Sequence, residues 1–117
     1  MPCLQVATSG GAADGDHTAF LAAASKLVAE TLGKSEQYVT VRCEAGVRNM
    51  LFAGTAEPSA QCALFSIGAL SPEVNAKLSL GLAGLLQTHF AVEPNRYYLN
   101  FFDLARHNCG WSGRTFA

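Results

Sequence analysis

Pro2 follows Met1 directly, and a proline in that place is a latent base. Loss of Met1 would leave a secondary amine on a ring with no flexible side chain. An α-amino group titrates near ~8, and a proline amine is more basic, so it works near neutrality only if its surroundings disfavour the charged form. Met-Pro also opens many chains without consequence, and nothing local decides between the two readings. Lys34, just after Gly33, is equally open: a potential point charge for an anion, or a solvated lysine at a helix C-terminus. Tyr98 and Asn100 stand two apart and so face one side of any strand that holds them. An asparagine in a largely apolar strand needs a partner, either within the protein or on a ligand. Ser66-Ile67 falls at a strand end, where packing alone would account for it.

Other patterns lead to exclusions. Cys3, Cys43, Cys62 and Cys109 show no C-x-x-C spacing, and the strand-like run after Met1-Pro2 takes the place of a signal peptide. Reduced thiols and a cytoplasmic location are the expectation, any outside role requiring export without a signal peptide. His107-Asn108-Cys109 offers two ligands, too few for a metal site, and Gly10, Gly11 and Gly15 lack the G-x-G-x-x-G spacing of a phosphate loop. No metal and no cofactor are expected.

Positioning these residues requires a framework. Cys3–Thr8 alternates as a strand. Phe20, Leu21, Ala24, Leu27, Val28, Thr31 and Leu32 form a helical face that Gly33 should cap. Tyr38–Cys43 reads as a second strand and Met50-Leu51-Phe52 as a short one. Gln61–Ile67 is apolar enough to suggest a strand covered on both faces. Ser71-Pro72-Glu73 starts a helix whose face runs through Val74, Leu78, Leu82, Leu85 and Leu86, and Arg96–Phe102 returns as a strand.

The order strand–helix–strand therefore occurs twice. It predicts one α/β domain over residues 1–117, with pseudo-repeats of about 1–56 and 57–117. Each βαβ unit gives a parallel pair, and two units in one sheet put both helices on one face. The composition agrees with a small globule: 117 residues, 50% hydrophobic, 15% charged, net charge −1. An average domain is about 25% charged. The low charge opposes nucleic-acid binding, and no run approaches the ~20 apolar residues of a membrane span. An apolar open sheet face, covered by further copies of the chain, is the expectation.

Taken in order, several segments resemble the macrophage migration inhibitory factor family, with D-dopachrome tautomerase, in the tautomerase superfamily. They are Met1-Pro2, Leu32-Gly33-Lys34, Tyr38, Glu57–Gly68, Arg96–Asn100, Asn108–Ser112 and Thr115–Ala117. The resemblance spans essentially the whole chain. It implies a four-stranded mixed sheet with two helices on one face, and a homotrimer whose sheets form an inner barrel. It implies a keto–enol tautomerase for aromatic 2-oxo acids such as phenylpyruvate, with dopachrome-like compounds as further candidates. Pro2 would be the general base, and Lys34 would anchor the carboxylate. Ser66 and Ile67 would meet the substrate, and Tyr98 and Asn100 would come from the neighbouring subunit. Tyr38, Cys109, Trp111 and Phe116 would form the pocket wall. The alternative implied is an extracellular, cytokine-like ligand for a cell-surface receptor. Three positions depart from the family pattern: Ser59 replaces the first cysteine of a C-x-x-C pair, Phe65 a polar residue, and Cys109 an aliphatic one. Thiol–disulfide exchange chemistry therefore does not carry over, and pocket shape is altered.

Overall fold

The computed structural model describes residues 1–117. Its first half is β1 (Pro2–Thr8), α1 (Thr18–Leu32) and β2 (Thr40–Glu44); its second is β3 (Ala60–Ser66), α2 (Pro72–Phe90) and β4 (Tyr97–Asp103). A small hairpin follows, β5 (Gly110–Trp111) and β6 (Arg114–Thr115). The main sheet runs β2-β1-β3-β4. Each crossover helix leaves its own strands parallel, and the halves meet through antiparallel β1 and β3. One layer of helices therefore lies on one four-stranded mixed sheet, as the duplicated pattern requires.

The helices form for legible reasons. In α1, Phe20, Ala24, Val28 and Leu32 recur every four residues and are buried. Gly33 then takes φ 64°, and the Lys34 N–H returns to the Ala29 carbonyl at 3.0 Å, closing the helix. In α2, the Ser71 hydroxyl accepts the Val74 N–H at 3.1 Å, and Leu78, Leu82, Leu86 and Phe90 are buried at the same spacing. These faces meet Leu4, Val6, Cys62 and Leu64 of the sheet in one core.

The cap of α2 is Ala91, at φ 55°. A side chain in that left-handed conformation is strained, and glycine relieves the strain. Ala91→Gly should therefore raise stability by about 0.5–1 kcal/mol in urea unfolding. A loss would mean that the Ala91 methyl contributes more by packing than its backbone costs.

Four expectations need correction. Tyr38 is not in a strand: Glu36–Tyr38 is a single 3-10 turn, and β2 begins at Thr40. The turn prevails because the Ser35 hydroxyl and carbonyl hold the N–H groups of Gln37 and Tyr38. Met50-Leu51-Phe52 makes no strand, only a bridge between Phe52 and Thr55, because Ala53 and Gly54, both at positive φ, turn the chain back on itself at once. The last two strands are each displaced by about a residue, so Ile67 lies just beyond β3. The open face of the sheet is also not apolar. One register line across it reads Arg42, Gln5, Ala63, Asn100, and the next reads Glu44, Ala7, Gln61, Tyr98. Apolar character is confined to one end, where Phe65 and Phe102 stack at 4.8 Å. The apolar run of β3 was misleading because Cys62 and Leu64 point to the helices, which leaves Gln61, Ala63 and Phe65 on the open face.

Candidate active site

The amino end of the chain lies in a cavity of about 300 Å³. Met1, Pro2, Cys3, Gln37, Tyr38, Thr40, Cys109, Gly110, Trp111 and Phe116 line it. Three local structures bring these distant residues together. Pro2 opens β1 opposite Ser66, and its ring is fully buried. The 3-10 turn after α1 presents Tyr38. The β5–β6 hairpin supplies Trp111 and leads to Phe116. Its loop is Ser112 and Gly113, both at positive φ, which is the two-residue turn that fits the twist of paired strands. The Phe116 N–H reaches the Cys109 carbonyl at 3.2 Å.

The aromatic wall is ordered by its own contacts. Trp111 and Phe116 stack at 5.5 Å and 15°, and Tyr38 meets Trp111 edge-on at 6.2 Å. The Arg114 guanidinium sits over Trp111 at 5.4 Å. Such a wall suits a flat, unsaturated ligand.

Lys34 lies close enough to the amino end to act on it. Burial, and then repulsion from the Lys34 ammonium, hold the terminal amine of Met1 below the ordinary α-amino range; Cys109 opposes this in part. The Lys34 ammonium donates to the Ile67 carbonyl at 2.7 Å, which fixes its direction and leaves further donors on the same nitrogen. The Ser66 hydroxyl donates to the Gly68 carbonyl at 2.8 Å, and the Asp103 carboxylate accepts the Gly68 N–H at 2.9 Å. The Ser66–Gly68 segment is thus pinned, and what it offers a ligand is backbone rather than the serine hydroxyl.

Pro2, Tyr38, Cys109, Trp111 and Phe116 therefore share one cavity, with Lys34 and the Ile67 carbonyl bonded together. Tyr98 and Asn100 do not join them within this chain. They point outward from β4 on the open sheet face, Tyr98 against Phe52 and Asn100 in a recess with Gln5 and Arg42. Sequence reasoning missed Cys3, Gln37 and Thr40 as cavity residues. Cys3 and Thr40 are paired by the β1–β2 register, which no local pattern displays. The hairpin was also missed, although Ser112-Gly113 is a turn dipeptide. No group of three or more His, Cys, Asp or Glu is placed to hold a metal ion, and no helix is long and apolar enough to cross a membrane.

A duplicated βαβ layer with two helices on one four-stranded mixed sheet is the fold of the tautomerase superfamily. Comparison with known proteins narrows that class. The family model described as macrophage migration inhibitory factor (MIF) matches residues 1–117. Macrophage migration inhibitory factor of Rattus norvegicus is 38% identical over 98 residues, 84% of each chain. The homolog from Brugia malayi is 38% identical over 99 residues, 85% of each chain. Among solved structures, the homologue from Prochlorococcus marinus superposes with a TM-score of 0.91 at 31% identity, covering 98% of this chain and 99% of its own. The chain belongs to the macrophage migration inhibitory factor family.

Proposed function

We propose that the protein is a keto–enol tautomerase for aromatic 2-oxo acids of the phenylpyruvate type. The observation that carries this reading is the placement of the amino end in an aromatic cavity, near enough to Lys34 for that ammonium to disfavour a second positive charge there. After removal of Met1 the amine belongs to Pro2, one residue further into the same cavity. Neutral Pro2 takes a proton from the carbon next to the ketone, and the proton is returned to the oxygen as the enol forms. Lys34 holds the substrate carboxylate with the donors it does not give to Ile67. Tyr38, Trp111 and Phe116 enclose the ring. Tyr98 and Asn100 fit this scheme in a homotrimer, where a neighbouring chain would place its open sheet face beside the cavity. Sedimentation of the processed protein as a monomer would overturn that part.

Lys34→Met tests the reading through two effects. Losing a hydrogen bond to a charged group costs about 1.5–3 kcal/mol, so kcat/KM for phenylpyruvate should fall roughly 10- to 100-fold. The pH profile should also move. Lys34 lowers the amine pKa, so without it the base stays protonated to higher pH, and the rising limb shifts upward. An unchanged limb with unchanged kcat/KM would remove Lys34 from the site.

A second reading rests on the name borne by the relatives, macrophage migration inhibitory factor. It takes the chain as a ligand for a cell-surface receptor and needs no catalysis. It predicts that a Pro2→Gly variant still inhibits macrophage migration at the wild-type concentration.

A further inference from the structure

We infer that Phe52, held in place by Arg96, is a positioning residue for Tyr98 and so acts on the cavity of the neighbouring chain. The inference rests on the proposed tautomerase site, in which Tyr98 reaches the substrate across a subunit boundary. Tyr98 needs such a support. It is 67% exposed on β4, an outer strand of the sheet, with Gln61 of β3 beside it in register. An exposed tyrosine has several rotamers open to it, and a ring that moves among them orients a ligand poorly.

Phe52 supplies the restraint. Its ring meets Tyr98 at 5.0 Å and 42°. Phe52 is itself fixed from two sides. Its N–H and carbonyl bond to the carbonyl and N–H of Thr55, both at 3.0 Å. The Arg96 guanidinium stands over its ring at 5.4 Å. That guanidinium donates to the carbonyls of Pro58 at 3.1 Å, Glu57 at 3.0 Å and Thr55 at 3.4 Å. The Arg96 side chain is 11% exposed, whereas the Glu57 carboxylate, 4.0 Å away, is 75% exposed. Backbone carbonyls rather than the ion pair therefore hold Arg96.

Arg96 directly precedes β4, so it ties the turn after Phe52 to the start of the strand that carries Tyr98. Two further facts point away from an ordinary packing role. Phe52 is not part of the hydrophobic core, and none of Phe52, Arg96 and Tyr98 lines the cavity of its own chain. Whatever Phe52 does for the reaction is done in the neighbour's cavity.

Phe52→Ala should raise KM for phenylpyruvate about tenfold and change kcat less than about threefold, since Tyr98 binds the substrate and takes no proton. Phe52→Tyr, which keeps the ring, should restore KM, and both variants should melt within about 4 °C of wild type. The position in the neighbour is tested by unfolding Phe52→Ala and Pro2→Gly chains together and refolding the mixture. A cavity with Pro2 from the first and Tyr98 from the second is intact, and about one in four is of this kind, so kcat/KM should be about fivefold the mean of the two refolded separately. No gain on mixing would overturn the inference. Phenylglyoxylate provides a readout without turnover. It is an aromatic 2-oxo acid with no proton on the carbon next to the ketone, and Trp111, the one tryptophan, reports its binding by fluorescence. Its Kd should weaken about tenfold in Phe52→Ala and recover in Phe52→Tyr. An unchanged Kd would overturn the inference. Phenylglyoxylate binding with that Kd pattern but without phenylpyruvate turnover would count against the tautomerase reading alone.

Discussion

Replacing Pro2 with glycine should lower kcat for phenylpyruvate tautomerisation by about 10²- to 10³-fold, with a smaller change in KM, since a positioned general base contributes on that order. The variant still ends in an amine, but a mobile primary one. The buried Pro2 ring, in register with Ser66, fixes the direction of the nitrogen lone pair, and glycine has no ring to fix it. Adding one alanine between Met1 and Pro2 is the harsher test. Processing then leaves Ala-Pro, the Pro2 nitrogen becomes an amide, and turnover should drop to the uncatalysed rate. A Pro2→Gly enzyme as fast as wild type would remove Pro2 from the chemistry, whatever Lys34 does.

The largest effect on stability should come from Phe20→Ala, at about 3–5 kcal/mol in denaturant unfolding. Phe20 is 1% exposed, and its ring meets Phe90 at 4.8 Å and 65° and His89 at 5.7 Å and 72°. It joins the start of α1 to the end of α2, so its loss opens a cavity where the two repeats are held together. Domain stabilities run about 5–15 kcal/mol, so the variant should be marginal at 37 °C. A cost below about 1 kcal/mol would mean that the helices close over the vacancy.

What the sequence disclosed follows the range of each signal. The faces of α1 and α2, the cap at Gly33 and the start at Ser71-Pro72 depend on residues within five positions of one another, and all are where the spacing put them. Topology followed too, because a single crossover helix permits only a parallel pair. Tyr38 was misplaced because a tyrosine before Val39-Thr40-Val41 has strand propensity, while Ser35, which turns the chain, lies outside that run. The open sheet face was misjudged because its character depends on which residues lie side by side across four strands. Arg42 beside Gln5 and Asn100 beside Ala63 are facts of register. The candidate site divides in the same way. Pro2, Lys34, Tyr38 and the Asn108–Ser112 segment were found by resemblance to a family rather than from their own chemistry. Cys3, Gln37 and Thr40 entered only when the strands were paired.

The central claim is that the amino-terminal nitrogen at Pro2 is the base, and nitrogen NMR tests it most directly. Protein labelled with nitrogen-15 at proline, with removal of Met1 verified by mass, would be titrated while kcat/KM for phenylpyruvate is followed over the same pH range. The account predicts that the Pro2 nitrogen loses its proton below the ordinary range of a proline amine, at the midpoint of the rising limb of the rate. It also predicts that Lys34→Met moves both midpoints upward together. A Pro2 nitrogen that titrates in the ordinary range, or a rate limb that ignores its titration, would contradict the account.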